Sequence, residues 1–248
     1  MITAKLNGGL GNQMFQIAAA YSLALDNSDD CVFFLNNKVI KQGRPAITYK
    51  NNVFRKIKEI PDGVMKYTYT EPGINYNPIP YRKDSIINGY FQSEKYFINH
   101  KYEIIELFKD EETINNIKSF HTFDNSVSVH VRRGDYLGES DCKPLPLDYY
   151  IEALKYLDSR VIVDRIYVFS DDIPWCIANF DDRRVRITHK ADYEDLYFMS
   201  LCDFNIMSNS SFSWWGSELG NARIIIAPSK WDHQGKMKDV YKSNWILI

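Results

Sequence analysis

Long apolar runs are missing from this 248-residue chain. Nothing in it approaches the roughly 20 consecutive apolar residues of a membrane-spanning helix. The start, MITAKLNGG, also lacks the basic and apolar regions of a secretory signal. The expectation is a soluble, cytoplasmic protein. An excess of one charge is missing too. Lys and Arg number 30 against 32 Asp and Glu, a net charge of −2, so no global basic field draws the chain to nucleic acid. Any anion site must be local. Cysteine is sparse: Cys31, Cys142, Cys176 and Cys202 are scattered with no paired metal-ligand spacing, as expected of reduced, mostly buried thiols. Internal repeats and low-complexity segments are absent.

What is present is an ordinary globular composition, 45% apolar and 25% charged. The length suits one large domain or two small ones. Aromatics are plentiful, with 17 Tyr, 14 Phe and 5 Trp. They suit a sugar-handling surface and equally an α/β core. ITAKL reads as a strand, NGGLGNQ as a glycine-rich turn, and QMFQIAAAYSLALD as a helix. CVFFL (31–35) reads as a second strand. Residues 36–84 are turn-rich, with VFRKIKEI suggesting a short helix. SIINGYF is the next strand, and SEKYFINHKYEIIELFK a helix opening at a Ser N-cap.

After residue 122 strands and helices alternate: SVSVHV, LDYYIEALKYLD, RIYVFS, IPWCIANF, RVRIT, DYEDLYFMSL, CDFNIM, SSFSWWGSELG, RIIIAP. That rhythm implies parallel βαβ units. The expected architecture is α/β with two lobes, 1–122 and 123–248, and a ligand cleft between them.

Three strand ends in the second half carry polar clusters: HVRRGD (130–135), SDD (170–172) and SNSS (208–211). Ligands of open parallel sheets bind outside such ends. Arg132 and Arg133 offer planar forks of donors that grip phosphate. Ser210 and Ser211 open a helix whose free N–H groups form an anion cradle; the bland reading is a plain N-cap. Asp171 and Asp172 suit a metal ion, guanine N1–H with its exocyclic amine, or an ordinary helix start. Arg133-Gly134-Asp135 also spells a tripeptide that adhesion receptors bind. Trp214 and Trp215 point in different directions, so at least one belongs to the core. The turn GGLGNQ places Asn12 and Gln13 near a helix start.

Taken together, GGLGNQMFQ, GYFQSEKYF, HVRRGDY, FSDD and NSSFSWWG resemble the bacterial α1,2-fucosyltransferase family, in order and across nearly the whole chain. The resemblance implies a GT-B-like fold of two Rossmann-like lobes, the amino-terminal one abbreviated in so short a chain. It implies inverting transfer of L-fucose from GDP-fucose to the 2-hydroxyl of a galactoside, without a metal or other cofactor. By motif, His130 and Arg132 grip the diphosphate with help from Arg133. Asp171 reads guanine with Asp172 near the ribose, Ser210 and Ser211 contact phosphate, and Asn12 with Gln13 lies toward the donor sugar. Arg132 would take up charge on departing GDP. For the base that activates the acceptor hydroxyl, Asp135 and Glu139 are the candidates, with Asp141 nearby. The partners implied are GDP-fucose and a galactose-terminated glycan, free or lipid-linked. A lipid-linked acceptor would bring the enzyme to the inner face of the plasma membrane. The rival readings are a carbohydrate-binding module without catalysis, an adhesion ligand, a metal-dependent transferase and a transferase of another linkage.

Overall fold

The computed structural model describes residues 1–35, 43–60, 63, 65–138, 142–188 and 190–248. The chain forms two compact units. One comprises Met1–Glu111 with Lys238–Lys242, the other Glu112–Met237 with Ser243–Ile248. The units thus change at 111–112, where the sequence reading put the change of lobe at 122–123.

In the first unit, β1 (Ile2–Ala4), β2 (Tyr67–Thr70) and β3 (Ser85–Asn88) form a parallel sheet in the order β1-β3-β2. Helix α1 (Leu10–Asp26) buries Met14, Phe15, Ile17, Ala18, Ala19 and Ala20, a small-residue face that lets it lie close to its neighbours. The expected strand at 31–35 is reduced to two single bridges, Ile2 with Cys31 and Phe33 with Glu59. The reason is a change of partner. Val32 N–H donates to Ile2 O at 3.1 Å, and one residue later Phe33 N–H donates to Lys58 O at 2.9 Å. Neither neighbour is followed long enough to build a ladder.

The long helix expected from Ser93 is broken as well. Ser93 does cap a turn, accepting from Lys95 N–H at 3.3 Å. Phe97 then leaves helical geometry (φ −143°, ψ 16°) and is buried against Phe15, ring centroids 6.3 Å apart. Core packing of that ring overrides local propensity, and α2 covers only Lys101–Phe108. VFRKIKEI forms successive turns instead of a helix. Strand β2, at the edge of the sheet with Tyr67, Thr68 and Thr70 exposed, has no periodic apolar signal to reveal it.

Helix α3 (Glu111–Phe120) begins at the change of unit, and the second unit then follows the sequence rhythm closely. Its elements are β4 (Ser126–Val131), α4 (Leu147–Asp158), β5 (Arg165–Ser170), α5 (Ile173–Asn179), β6 (Val185–Thr188), α6 (Asp192–Leu201), β7 (Phe204–Ile206), α7 (Ser211–Glu218), β8 (Ile224–Ala227) and β9 (Ile246–Leu247). The six strands are parallel in the order β6-β5-β4-β7-β8-β9. This is the doubly wound Rossmann order, in which the chain begins mid-sheet and works outward both ways. Strand β4 is buried on both faces. Val127, Val129 and Val131 pack with Tyr150, Ala153, Leu157, Ile166 and Val168. On the other face the Ser128 hydroxyl accepts from Asn205 Nδ2 at 2.6 Å, a buried polar pair within the sheet. Among the described residues, no helix is long and apolar enough to cross a membrane.

Candidate functional site

The doubly wound order fixes where a ligand belongs. Strands β4 and β7 are adjacent, yet the chain leaves β4 toward β5 and leaves β7 toward β8. Diverging connections open a crevice at the carboxyl ends of this central pair. HVRRGD and SNSS, the two richest polar clusters of the sequence, end these two strands. A hydrogen bond joins them: Ser208 Oγ lies 3.0 Å from His130 Nδ1. His130 is only 5% exposed and its ring packs on Phe212 at 5.4 Å. Burial pushes its pKa down to about 3, and the Arg132 charge lowers it further while Asp171 opposes. The imidazole is neutral at physiological pH, a hydrogen-bonding group with no charge to offer an anion.

The two arginines part company. Arg132 reaches Asp135 Oδ1 at 2.8 Å and Asp171 Oδ2 at 3.0 Å, and passes 5.7 Å from the Tyr136 ring. The contact with Asp135 Oδ1 is an ion pair and not a hydrogen bond. Arg133 turns the other way. Its Nε donates to Asp172 Oδ2 at 3.0 Å, its guanidinium covers the Trp175 ring at 4.2 Å, and its backbone N–H donates to Asp171 Oδ1 at 2.9 Å. Arg133 is therefore held on three sides. Arg132, at 34% side-chain exposure against 17%, is the one that stays accessible. Individually such pairs add little stability; their effect is to fix direction. Gly134 allows the arrangement, since a Cβ there would meet Asp171 Oδ2 at 2.8 Å.

Asp172 also caps α5, accepting from Trp175 N–H at 3.2 Å. Both Asp171 oxygens face arginine groups, so in this arrangement the residue braces them and does not present a free carboxylate edge. Ser210 caps α7, accepting from Phe212 N–H at 3.3 Å, and Ser211 is the first residue of that helix. The loop before it is pinned. Tyr136 Oη donates to Asn209 O at 3.0 Å, tying the loop after β4 to the loop after β7. Tyr149 Oη donates to Met207 O at 2.6 Å, and Asn209 Nδ2 donates to Trp231 O at 3.0 Å.

His130, Arg132, Arg133, Asp135, Asp171, Asp172, Ser210 and Ser211 are thus gathered at one end of one sheet. Asn12 and Gln13 belong to the first unit, in the opening turn of α1. There Gln13 is fully buried and donates from Nε2 to Gly8 O at 2.9 Å and Arg44 O at 2.8 Å, holding the glycine turn to a distant loop. Gly8 takes a left-handed φ of +77° at that turn. Asn12 Oδ1 accepts from Gln92 Nε2 at 2.6 Å. Glu139 and Asp141 lie outside the described residues. Trp214 and Trp215 are both core, fully buried with centroids 5.1 Å apart. Sequence reasoning missed Trp175 and Tyr136 as partners of the arginines; an aromatic 42 or 4 positions away from Arg133 or Arg132 gives no spacing signal. The adhesion reading needs a free tripeptide, whereas Arg133 and Asp135 are tied into this network. Among the described residues, no group of three or more His, Cys, Asp or Glu is placed to hold a metal ion.

The sequence profile of Glycosyl transferase family 11 matches residues 1–248, the whole chain. The chain belongs to that family. An Escherichia coli alpha-1,2-colitosyltransferase is 30% identical, with 100% of this chain and 99% of the relative covered. The E. coli O-antigen biosynthesis glycosyltransferase WbnK is also 30% identical, over 98% of this chain and 99% of its own. A Caenorhabditis elegans galactoside 2-alpha-L-fucosyltransferase is 28% identical over 87% of this chain and 68% of its own. Among solved structures, the fucosyltransferase NodZ from Bradyrhizobium superposes with a TM-score of 0.57 at 15% identity, covering 88% of this chain and 93% of that one. The fold of this family 11 glycosyltransferase is GT-B-like, as the resemblance implied.

Proposed function

We propose that this glycosyltransferase moves L-fucose from GDP-β-L-fucose to the 2-hydroxyl of a galactoside, inverting the anomeric centre. The observation that carries the reading is the Arg132 guanidinium, accessible at the β4–β7 crevice and aimed by Asp135 and Asp171. A β-linked donor and an α product require a single displacement with charge collecting on the departing diphosphate. A preorganised guanidinium and the start of α7 are what such charge calls for. Arg133, held by Asp172 and Trp175, supports the same loop. His130 serves as a neutral hydrogen-bonding partner. Asp135 faces Arg132, which favours a bracing part over that of general base and leaves Glu139 as the other candidate. Transfer proceeds without a divalent metal; in support, the aspartates of the SDD motif face arginines.

The α1,2-linkage is supported by relatives whose names carry it. The colitosyltransferase favours a second donor, a nucleotide-linked colitose, the 3-deoxy counterpart of L-fucose. An O-antigen relative supports a lipid-linked acceptor met in the cytoplasm at the inner membrane face. The test is a galactoside acceptor screen with GDP-fucose and its 3-deoxy analogue, with and without EDTA, and assignment of the product linkage by NMR. An α1,2-fucosyl product that persists in EDTA supports the reading. Exclusive use of the 3-deoxy donor, a different linkage, or activity restored only by Mn²⁺ would each overturn the corresponding part.

A further inference from the structure

The second unit holds another cavity, away from the crevice. It encloses about 450 Å³ and is lined by His121, Arg165, Tyr167, Arg186, Thr188, Lys190 and Phe198, with Ile187. Arg165 is the first residue of β5 and Asp171 follows its last. Six steps along a strand separate them by roughly 20 Å; from Arg165 the cavity runs along β5 and the edge strand β6 to Thr188 and Lys190, with β6 two strands away from β4.

Its wall is aromatic. Phe198 on α6 packs edge-on against Tyr167 and His121, both with centroids 4.7 Å away. Burial lowers the His121 pKa and Lys190 lowers it further, so the ring is neutral at physiological pH. Its rim is cationic. Among the described residues Arg165, Arg186 and Lys190 form no ion pair, in a chain where most arginines at strand ends are matched to carboxylates. Arg186 bonds only to backbone carbonyls, Arg183 O at 2.9 Å and Val185 O at 2.7 Å. Asp195 accepts from the Thr188 hydroxyl at 3.0 Å and lies 3.5 Å from the Lys190 backbone N–H. Cations without ion pairs beside a concave aromatic wall give the cavity a local positive field that attracts an anion. The volume lies in the range of small-molecule sites.

We propose that this cavity binds a negatively charged sugar unit, its ring against Tyr167 and Phe198 and its carboxylate or phosphate held by Arg165, Arg186 and Lys190. Aromatic walls take the apolar faces of a sugar ring, and guanidinium forks take two oxygens of an anion. The shared chemistry admits a uronic acid or a sugar phosphate. The inference rests on the second unit alone and needs neither the donor nor the linkage proposed above.

The test is a calorimetric titration of the full chain with glucuronic acid, glucose 1-phosphate, inorganic phosphate and glucose, each repeated with GDP in excess. One or both charged sugars should bind saturably, more tightly than inorganic phosphate, and glucose should not bind. GDP should leave this binding unchanged. Which charged sugar binds more tightly identifies the anion. Arg186→Glu should weaken it about tenfold or more, the worth of one charge-assisted bond. Arg186 is exposed and bonds only to neighbouring backbone, so the fold should survive; an unchanged melting temperature checks this. Arg165→Gln provides a second variant, read the same way. Absence of binding, wild-type affinity in both variants, parity with inorganic phosphate, or displacement by GDP would each overturn the proposal. If GDP itself fails to bind, the proposed donor is lost while the titrations without GDP still decide this cavity.

Discussion

The two units build parallel sheets in opposite styles. The second has six strands in a doubly wound order, its central strand buried on both faces. The first has three strands of three or four residues and two single bridges, with the helix after Ser93 cut short. Each style puts its polar side chains to different use. In the first unit they hold loops. Gln16 donates to Asn7 O and Gly89 O and accepts from Asn7 N–H, and Glu71 accepts from Tyr90 and Phe91 N–H. In the second unit, beyond the strands, the polar groups hold one another at the sheet's carboxyl edge and aim a guanidinium. The comparison teaches that a regular sheet frees its tips for chemistry, whereas an irregular one spends polar side chains on keeping its shape. Substitutions at the tips should therefore change rate with little loss of stability, and substitutions of the first unit's amides should do the reverse.

The largest expected effect is at Arg132. Arg132→Lys keeps the charge and removes the fork, so GDP should still bind, more weakly, while transfer falls by about 10²–10³-fold. Its partial exposure predicts an unchanged melting temperature. Single-turnover transfer measured beside GDP affinity checks both. Near-normal turnover would remove the guanidinium from the mechanism and end the claim that this edge is built for chemistry.

Next comes the buried imidazole. The His130 pKa is about 3 when folded and about 6.5 when unfolded. The unfolded chain takes up this proton as pH drops below 6.5, and the folded chain does not until near 3. The associated stability is complete above 6.5 and is lost as pH falls through that window, by up to roughly 1.4 kcal/mol per pH unit. Carboxylates titrate there too, so the comparison is with His130→Gln, whose urea-derived stability should fall less steeply by about one proton. Parallel slopes would show that the imidazole is not held neutral by burial.

The legibility of the sequence followed the same division. In the second unit, apolar periodicity and burial agree, and α4, β5 and α6 begin and end where the pattern does. In the first, tertiary demands decide. Phe97 leaves its helix to reach Phe15, and Phe33 changes partner after one bridge. No local pattern encodes either event. The polar clusters were legible because they end strands; their partners Trp175 and Tyr136 were not, because only folding brings an aromatic beneath a guanidinium.

Gln13 sharpens the first unit's side of the comparison. Its amide donates to two backbone carbonyls and is fully buried. Gln13→Leu would remove both hydrogen bonds, at a cost of about 1–3 kcal/mol. The melting temperature should drop while GDP affinity of the folded protein holds. A loss of GDP affinity at unchanged stability would instead return Gln13 to the donor site.

The smallest and most discriminating effect is at Asp171, where two readings of one carboxylate compete. As a guanine reader it should accept from N1–H and the exocyclic amine, and its loss should narrow the preference for GDP over ADP. The geometry gives it other work. One oxygen accepts from Arg133 N–H and the other faces Arg132, with Gly134 packed against it. Asp171→Asn retains an acceptor for the backbone N–H and removes the charge that aims Arg132. On the bracing reading, GDP and ADP affinities should fall together, by about tenfold, the equivalent of roughly 1.4 kcal/mol. Calorimetry with both nucleotides decides. A ratio that collapses while Arg132 still supports transfer assigns Asp171 to the base. A constant ratio makes it a positioning residue, and the edge of the second sheet becomes a device whose acids serve its arginines.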